Sequence, residues 1–371
     1  MRSGIVCVEK TVRFPVWQES AAKYCFLCGS MICCICGGNA AIRRCAHKRR
    51  RLVLTGTWVP AKDDFFLKII TDRDLPLSGR TVLTIGAFDG VHIGHACLLR
   101  SMCAVSGEKR LPNAVWTFAE SPKALQQGAK YITGSVEKME ALEKLGAEQI
   151  YFADFERCRS MTPSEFVEKA LIGDFHADTV VCGFDFRFGA SRAGDAQTLK
   201  ALLAQAGVSC IVVPPVKAGD ETVSSTLIRR KLAEGDIEGA SFLLGRRYSF
   251  LLPVIHGRRL GRTIGFPTIN QRFPAYQVVP AYGVYPCLCE VDGKLYRGVS
   301  NIGVRPTVSE HEDAPLCETH IFDFSDDLYD KEARVYLCRR IRPERRFDSV
   351  EALRGAKSAG MRTVGVADPY F

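Results

Sequence analysis

The stretch TVLTIGAFDGVHIGH, residues 81–95, decides how the rest of the chain is read. A β-favouring apolar run enters Gly86, and the glycine-containing segment that follows puts His92 and His95 on either side of Gly94. A tight turn of this kind at the start of a helix gathers two imidazoles and several backbone N–H groups around one phosphate. Imidazole held there can stabilise the charge that develops on an α-phosphate under attack, with no covalent intermediate. The alternative is a glycine-rich strand-to-helix turn with two incidental histidines. The chain has only seven histidines, and two of them at this spacing in this context favour the phosphate site.

Downstream, NAVWTF, QIYFAD, TVVCGF and SCIVVPPV are strand-like. They alternate with helical stretches from about His95 and in SVEKMEALEKLG, PSEFVEKALIGDF and DAQTLKALLAQAG. This repeated βαβ texture predicts a Rossmann-like parallel sheet covered on both faces, with ligands at the carboxyl ends of the strands. Two more helices lie in SSTLIRRKLAEGD and DIEGASFLLG. After Gly245 the texture changes. RRYSFLLPVIHG, GVYPCLCEVDG, KLYRGVSNIG, CETHIFDF and ARVYLCRRI are short alternating stretches, with VDGK as a tight hairpin turn. A small antiparallel β-barrel is the expected form. The fold class is α/β, with domains over residues 67–245 and 246–371 and an extension over 1–66.

The chain has 371 residues, 47% of them hydrophobic, which is enough for two cores. No stretch reaches the roughly 18 uninterrupted apolar residues of a membrane helix. Of the net charge of +9, residues 1–66 supply eleven basic and four acidic side chains, or +7, which leaves the body nearly neutral. The basic run HKRRR (47–51) is read as solvated tail, so neither nucleic acid nor membrane is expected as a partner. Cys7, Cys25, Cys28, Cys33, Cys34, Cys36 and Cys45 crowd into the same extension, but their cluster closes too quickly for a two-knuckle zinc site. The other nine cysteines show no paired framework, which fits a reducing cytoplasm. Regular patterning begins only near FFLKIITD, so residues 1–66 are expected to be poorly ordered, an over-extended start.

Two further stretches suit phosphate chemistry. In SSTLIRR, Ser224, Ser225 and Thr226 can cap a helix or hold phosphate oxygens, and Arg229 adds a fixed fork for β,γ-phosphates. In HGRRLGRTIGFPTIN (256–270), a Gly- and Arg-rich loop lets backbone approach phosphates. There the Thr268 hydroxyl and Asn270 carbonyl are hard oxygen ligands suited to Mg²⁺ bridging ATP phosphates.

GAFDGVHIGH resembles the His-x-Gly-His signature of the nucleotidyltransferase superfamily. CGFDFRFG (182–189), VSSTLIRRKL (223–232) and GDIEGASFLLGRRY (235–248) narrow the resemblance to the bacterial bifunctional riboflavin kinase/FMN adenylyltransferase (FAD synthetase) family. The PTIN loop with GVY, NIGVRPT and ETHIFDF resembles the kinase module of that family. The resemblance implies riboflavin, FMN and ATP as substrates, FMN and FAD as products, Mg²⁺ as cofactor and a cytoplasmic enzyme. It implies His92, His95 and Glu318 as catalytic residues, Glu318 being the base for the ribityl 5′-hydroxyl. It assigns Gly86, Phe88, Asp89, Gly94, Asp185, Arg187, Ser224, Ser225, Thr226, Arg229, Gly261 and Arg262 to nucleotide or phosphate binding, and Thr268 and Asn270 to the metal. A turn-stabilising role for Asp185 and a cross-strand ion pair for Glu318 are the structural alternatives. Asn301 and Arg305 are expected to shape the kinase site.

The chain departs from the family pattern at Glu120-Ser121-Pro122, where Pro-His-Pro is usual, and in LRGAKSAGMRTVGVADPYF at its end. His-x-Gly-His alone would also suit another nucleotidyltransferase, and a degenerate scaffold would suit a flavin- or RNA-binding regulator; the kinase half favours the bifunctional enzyme. Because every assigned residue lies downstream of residue 66, a chain lacking 1–66 is expected to keep both activities. Loss of folding or of either activity on that truncation would contradict the reading.

Overall fold

Strands of continuous apolar residues, each followed by a helix, can be buried only between two helical layers, and that constraint sets the N-terminal half. A computed structural model of the protein describes residues 50–52, 58–60, 67–119, 130–256, 268–304 and 315–344. The cysteines from Cys7 to Cys45, the Glu120-Ser121-Pro122 departure, Gly261, Arg262, Arg305 and the C-terminal departure lie outside the described residues. Within the extension, Arg50–Leu52 and Trp58–Pro60 pair as antiparallel strands.

The parallel sheet comprises β1 (Lys68–Ile70), β2 (Thr81–Ile85), β3 (Asn113–Thr117), β4 (Gln149–Phe152), β5 (Ala177–Gly183) and β6 (Ser209–Val213). Its order is β6-β5-β2-β3-β4-β1. Every residue of β2 and β3 is buried, and alternate residues serve opposite layers. Val82 and Val115 pack with Leu98, Leu99 and Met102 of α1 (Ile93–Lys109) and Leu142 of α2 (Ser135–Lys144). Leu83, Ile85 and Trp116 pack with Leu199 and Leu203 of α3 (Ala196–Gln205) and with Phe166 and Leu171 of the π-helical stretch Phe166–Asp174. The chain leaves β2 toward β3 on one side and later adds β5 and β6 on the other. The sheet therefore has its topological switch point at the carboxyl ends of β2 and β5, where a crevice forms.

The second half closes as the alternation predicts. β7 (Ser249–Ile255), β8 (Ile269–Arg272), β9 (Gly283–Val291), β10 (Lys294–Gly303), β11 (Leu316–Ile321) and β12 (Glu332–Leu337) run antiparallel in the order β10-β11-β8-β7-β12-β9. β9 then pairs back to β10, which leaves the six-stranded barrel without an open edge. Asp292 and Gly293 join β9 to β10 with φ of 49° and 75°. Two successive left-handed residues define the type I′ turn whose twist matches that of the strands.

The change of texture at Gly245 marks a change of secondary structure, but the packing divides elsewhere. α4 (Ser225–Glu234) and α5 (Ile237–Leu244) precede that point, and their apolar faces join the barrel's core. Ile228, Leu232, Ala240 and Leu243 belong to one buried cluster with Phe250, Phe273, Tyr285 and Val335. Backbone bonds reinforce the seam: Tyr131 donates to Tyr276 at 2.8 Å and accepts from Val278 at 2.8 Å. Among the described residues no helix is long and apolar enough to cross a membrane, and all nine cysteines carry free thiols.

A core shared by helices of one half and strands of the other should unfold with both. Ile228→Ala removes a fully buried side chain from it, a change that costs about 2–5 kcal/mol. Calorimetry is expected to show one transition that moves as a whole; a shift confined to one of two separate transitions would contradict the shared core.

Candidate functional site

The loop from Gly86 to His92 has a backbone that few residues tolerate. Phe88 has φ of 47°, Gly90 80° and Val91 43°. A β-branched residue such as Val91 in the left-handed region is strained by about 1–3 kcal/mol, so the surroundings must hold it there. Part of the grip is apolar, since Phe88 and Val91 are both buried in the core beneath α1. The rest comes from Asp89. Its carboxylate accepts from the Ile132 N–H at 2.9 Å and pairs with the Arg229 guanidinium, while its own carbonyl accepts from Ser225 Oγ at 2.9 Å. Arg229 Nε donates to the Lys130 carbonyl at 2.7 Å.

α1 begins at Ile93, two residues before the start expected at His95, because His92 serves as the N-cap. His92 Nδ1 accepts from the His95 N–H and His95 Nδ1 accepts from the His92 N–H, each at 3.3 Å. The two rings stack 3.7 Å apart at 15°. A neutral imidazole has one N–H. With both Nδ1 atoms accepting, both rings carry their proton on Nε2 and present it as a donor. Burial holds them neutral. It lowers the His92 pKa to about 4, with Arg246 adding to the effect. Burial likewise keeps His95 well below its ordinary range, with His92, Lys138 and Arg246 contributing. The N–H groups of Ile93 and Gly94 have no intrahelical acceptor, so the helix end offers further donors beside the rings.

Gly94 allows this closeness. A Cβ there would lie 3.0 Å from the His92 ring and 3.9 Å from the Val223 carbonyl oxygen. The N-terminus of α4 thus stands beside that of α1, with Ser224 as its N-cap accepting from the Leu227 N–H at 3.2 Å and Thr226 exposed in its first turn. Gly86 N–H donates to Trp116 O at 3.2 Å, which fixes where the loop leaves β2. Asp185 follows β5 on the same carboxyl edge of the sheet. Arg187 is turned toward Asp195, 3.6 Å away across a short hairpin.

Two residues that were not singled out in the sequence complete the frame. Lys138, buried in α2, donates to the carbonyls of Ala87 at 3.2 Å and Phe118 at 2.8 Å, joining the ends of β2 and β3. Burial pulls its pKa down to about 8. Arg246 reaches the same loop from the barrel side. A lysine in an amphipathic helix and an arginine after a glycine look like surface residues, and only the tertiary contacts mark them out.

In the barrel, Glu318 of β11 stands directly opposite Asn270 of β8 on one side and Asn301 of β10 on the other. Residues paired in this way share a face. Cys317 and Thr319 are buried in the interior, so the row Asn270-Glu318-Asn301 lies on the outer face, with Thr268 two residues before Asn270. Asn301 Nδ2 also donates to Glu344 at 3.3 Å. A carboxylate, two amides and a hydroxyl on one patch can hold a hydroxyl nucleophile and a hard cation.

Family models match both halves: one described as FAD synthetase over residues 76–227 and one described as riboflavin kinase over residues 244–362. The bifunctional riboflavin kinase/FMN adenylyltransferase of Bacillus subtilis is 36% identical over 280 residues, 74% of this chain and 88% of that protein. The protein of the same name from Escherichia coli K12 gives the same identity over the same shares. Among solved structures, a crystal structure described as a macrolide-efflux protein from Streptococcus pneumoniae superposes with a TM-score of 0.72 at 31% identity, covering 81% of this chain and 99% of that one.

The neutral state of His92 has a measurable consequence. Its folded pKa of about 4 lies below the ordinary 6.5, so the unfolded chain binds the extra proton and stability falls as pH drops through that window. The loss attributable to His92 is on the order of 3 kcal/mol. His92→Asn keeps an N-cap acceptor, and denaturant titrations at about pH 7 and about pH 4.5 are expected to show a smaller acid loss than in the parent. An equal loss in both proteins would mean that His92 is not buried neutral.

Proposed function

The chain belongs to the family of bifunctional riboflavin kinases/FMN adenylyltransferases, and on that premise we propose how its own residues divide the two reactions. It phosphorylates riboflavin to FMN in the barrel domain and adenylylates FMN to FAD in the parallel-sheet domain. The reciprocal capping of His92 and His95 is the observation that carries the residue assignment.

In adenylyl transfer a phosphate oxygen of FMN attacks the α-phosphorus of ATP and diphosphate leaves. The Nε2–H groups of His92 and His95 donate to the α-phosphate oxygens, where negative charge grows most. Their rings need no protonation to do this and no reorganisation, because each is fixed by the other's backbone. The N-termini of α1 and α4, with Gly86, Gly94, Ser224, Ser225 and Thr226, receive the phosphate tail. Phe88 backs His95, 5.0 Å away ring to ring. Asp89 and the Nε and Nη2 groups of Arg229 hold the loop, leaving Nη1 as the arm Arg229 extends toward the β,γ-phosphates. Asp185 and Arg187 line the flavin and nucleotide side of the crevice.

In the barrel, Glu318 takes the proton of the ribityl 5′-hydroxyl as that oxygen attacks the γ-phosphorus and ADP departs. Thr268 and Asn270 supply the hard oxygens that Mg²⁺ prefers, and buried Asn270 lies directly across from Glu318. When bound there the cation would neutralise charge on the ATP phosphates. Gly261 and Arg262 belong to the loop leading into Thr268 and are assigned to the same phosphates. Free thiols throughout the described residues support a reducing compartment, and we place the enzyme in the cytoplasm.

Glu318→Gln retains size and most hydrogen bonds but cannot accept the proton. Riboflavin phosphorylation should fall by about 10²- to 10⁴-fold with riboflavin affinity little changed. Supplied with FMN, the same variant should make FAD at the parent rate. Phosphorylation at the parent rate would make Glu318 a structural residue.

A further inference from the structure

We propose that Arg246, the second residue after α5, is a positioning residue for adenylyl transfer that aims His92 through the backbone. Its Nη2 donates to the Gly90 carbonyl at 2.7 Å and its Nη1 to the Val91 carbonyl at 2.9 Å, with a longer bond to Leu244 O at 3.4 Å. These are the carbonyls of two left-handed residues immediately before His92. A planar guanidinium can grip two successive carbonyls at once, and the fork fixes their relative orientation as well as their position.

The group is buried, which lowers its pKa to about 10 but leaves it cationic at neutral pH, and the Glu137 carboxylate faces it. Glu137 is fixed in turn: it accepts from Gly134 N–H at 2.9 Å and from Leu251 N–H of β7 at 3.1 Å. Glu137, bonded to barrel strand β7, thus sets its charge near the guanidinium that grips the turn ending at His92. Asp89 holds that turn through Ile132 and Arg229 of α4, and Arg246 holds it from the start of the barrel. Without Arg246 two buried carbonyls lose a donor and the strained turn loses one of its three supports.

This inference rests on His92 acting in adenylyl transfer, and the test separates the two. Steady-state FAD formation from FMN and ATP is measured for the full chain and for Arg246→Met, Arg246→Lys and His92→Asn, with riboflavin phosphorylation assayed on each preparation as an internal control of folding. Misplacement of a catalytic group by about 1 Å costs about 10²-fold. Arg246→Met is expected to lower kcat for FAD by about that factor, with KM for FMN and ATP and the kinase rate close to the parent's. Arg246→Lys, which restores charge without the fork, should fall between, and guanidinium ion added to Arg246→Ala should recover part of the lost kcat. If His92→Asn retains FAD formation, the reading of the site fails. If His92→Asn is inactive while Arg246→Met keeps the parent kcat, this proposal alone is overturned. A parallel loss of both activities in Arg246→Met and Arg246→Lys would also overturn it, because Arg246 would then hold the fold as a whole.

Discussion

A turn that must place a β-branched residue in the left-handed region cannot form from local preference, and the geometry of the site proposed for adenylylation depends on that turn being held. The cost at Val91 is met by contacts from three directions: the apolar burial of Phe88 and Val91, the Asp89 carboxylate with its partners Ile132 and Arg229, and the Arg246 fork. Each contact reaches a different element, so the turn is the point at which the sheet, α4 and the barrel junction meet. Strain of this kind survives only where the surroundings over-determine it, and it then supplies a rigid frame for reacting groups.

The two sites solve opposite electrostatic problems. Adenylyl transfer builds charge on a phosphate that is already anionic, and the site proposed for it offers donors: neutral rings kept uncharged by burial and the N-termini of two helices. Those donors tolerate burial because a neutral imidazole has a small desolvation cost. Proton removal from a ribityl hydroxyl needs an acceptor that stays ionised. Glu318, the base proposed for that step, lies on the outer face of the barrel and is half-buried.

Much of this was legible in the residues. Continuous apolar strands broken by helices gave the parallel sheet, and Asp292-Gly293 between alternating stretches gave the hairpin. His92, Ser224 and Thr268 stood out as candidates by type and spacing, and Glu318 only through the family resemblance. The parts that could not be seen are those fixed by partners distant in sequence. Arg229 reads as a candidate phosphate ligand, but its pairing with Asp89, 140 residues away, cannot be read from the sequence. Lys138 looks like one more surface lysine of a charged helix until its ammonium is found buried on Ala87 and Phe118. The boundary at Gly245 shows the same limit. Periodicity reports where helix gives way to strand, but it does not report which core a helix joins.

That last point bears on why the two activities share one chain. α4 has its N-terminus at the proposed phosphate crevice and its apolar face in the barrel core, so a single ten-residue helix would serve both reactions. Ser224 cannot be placed beside Gly94 unless Leu227, Ile228 and Leu232 are seated on the far side of the same helix, and their seat is completed by Phe250, Phe273 and Tyr285 of the barrel. Close packing transmits displacement, so the seating of one face of the helix bears on the position of the other. The fusion of the two domains is therefore more than a tether between sequential enzymes. The barrel's core seats the helix whose N-terminus is proposed to form one wall of the adenylylation site.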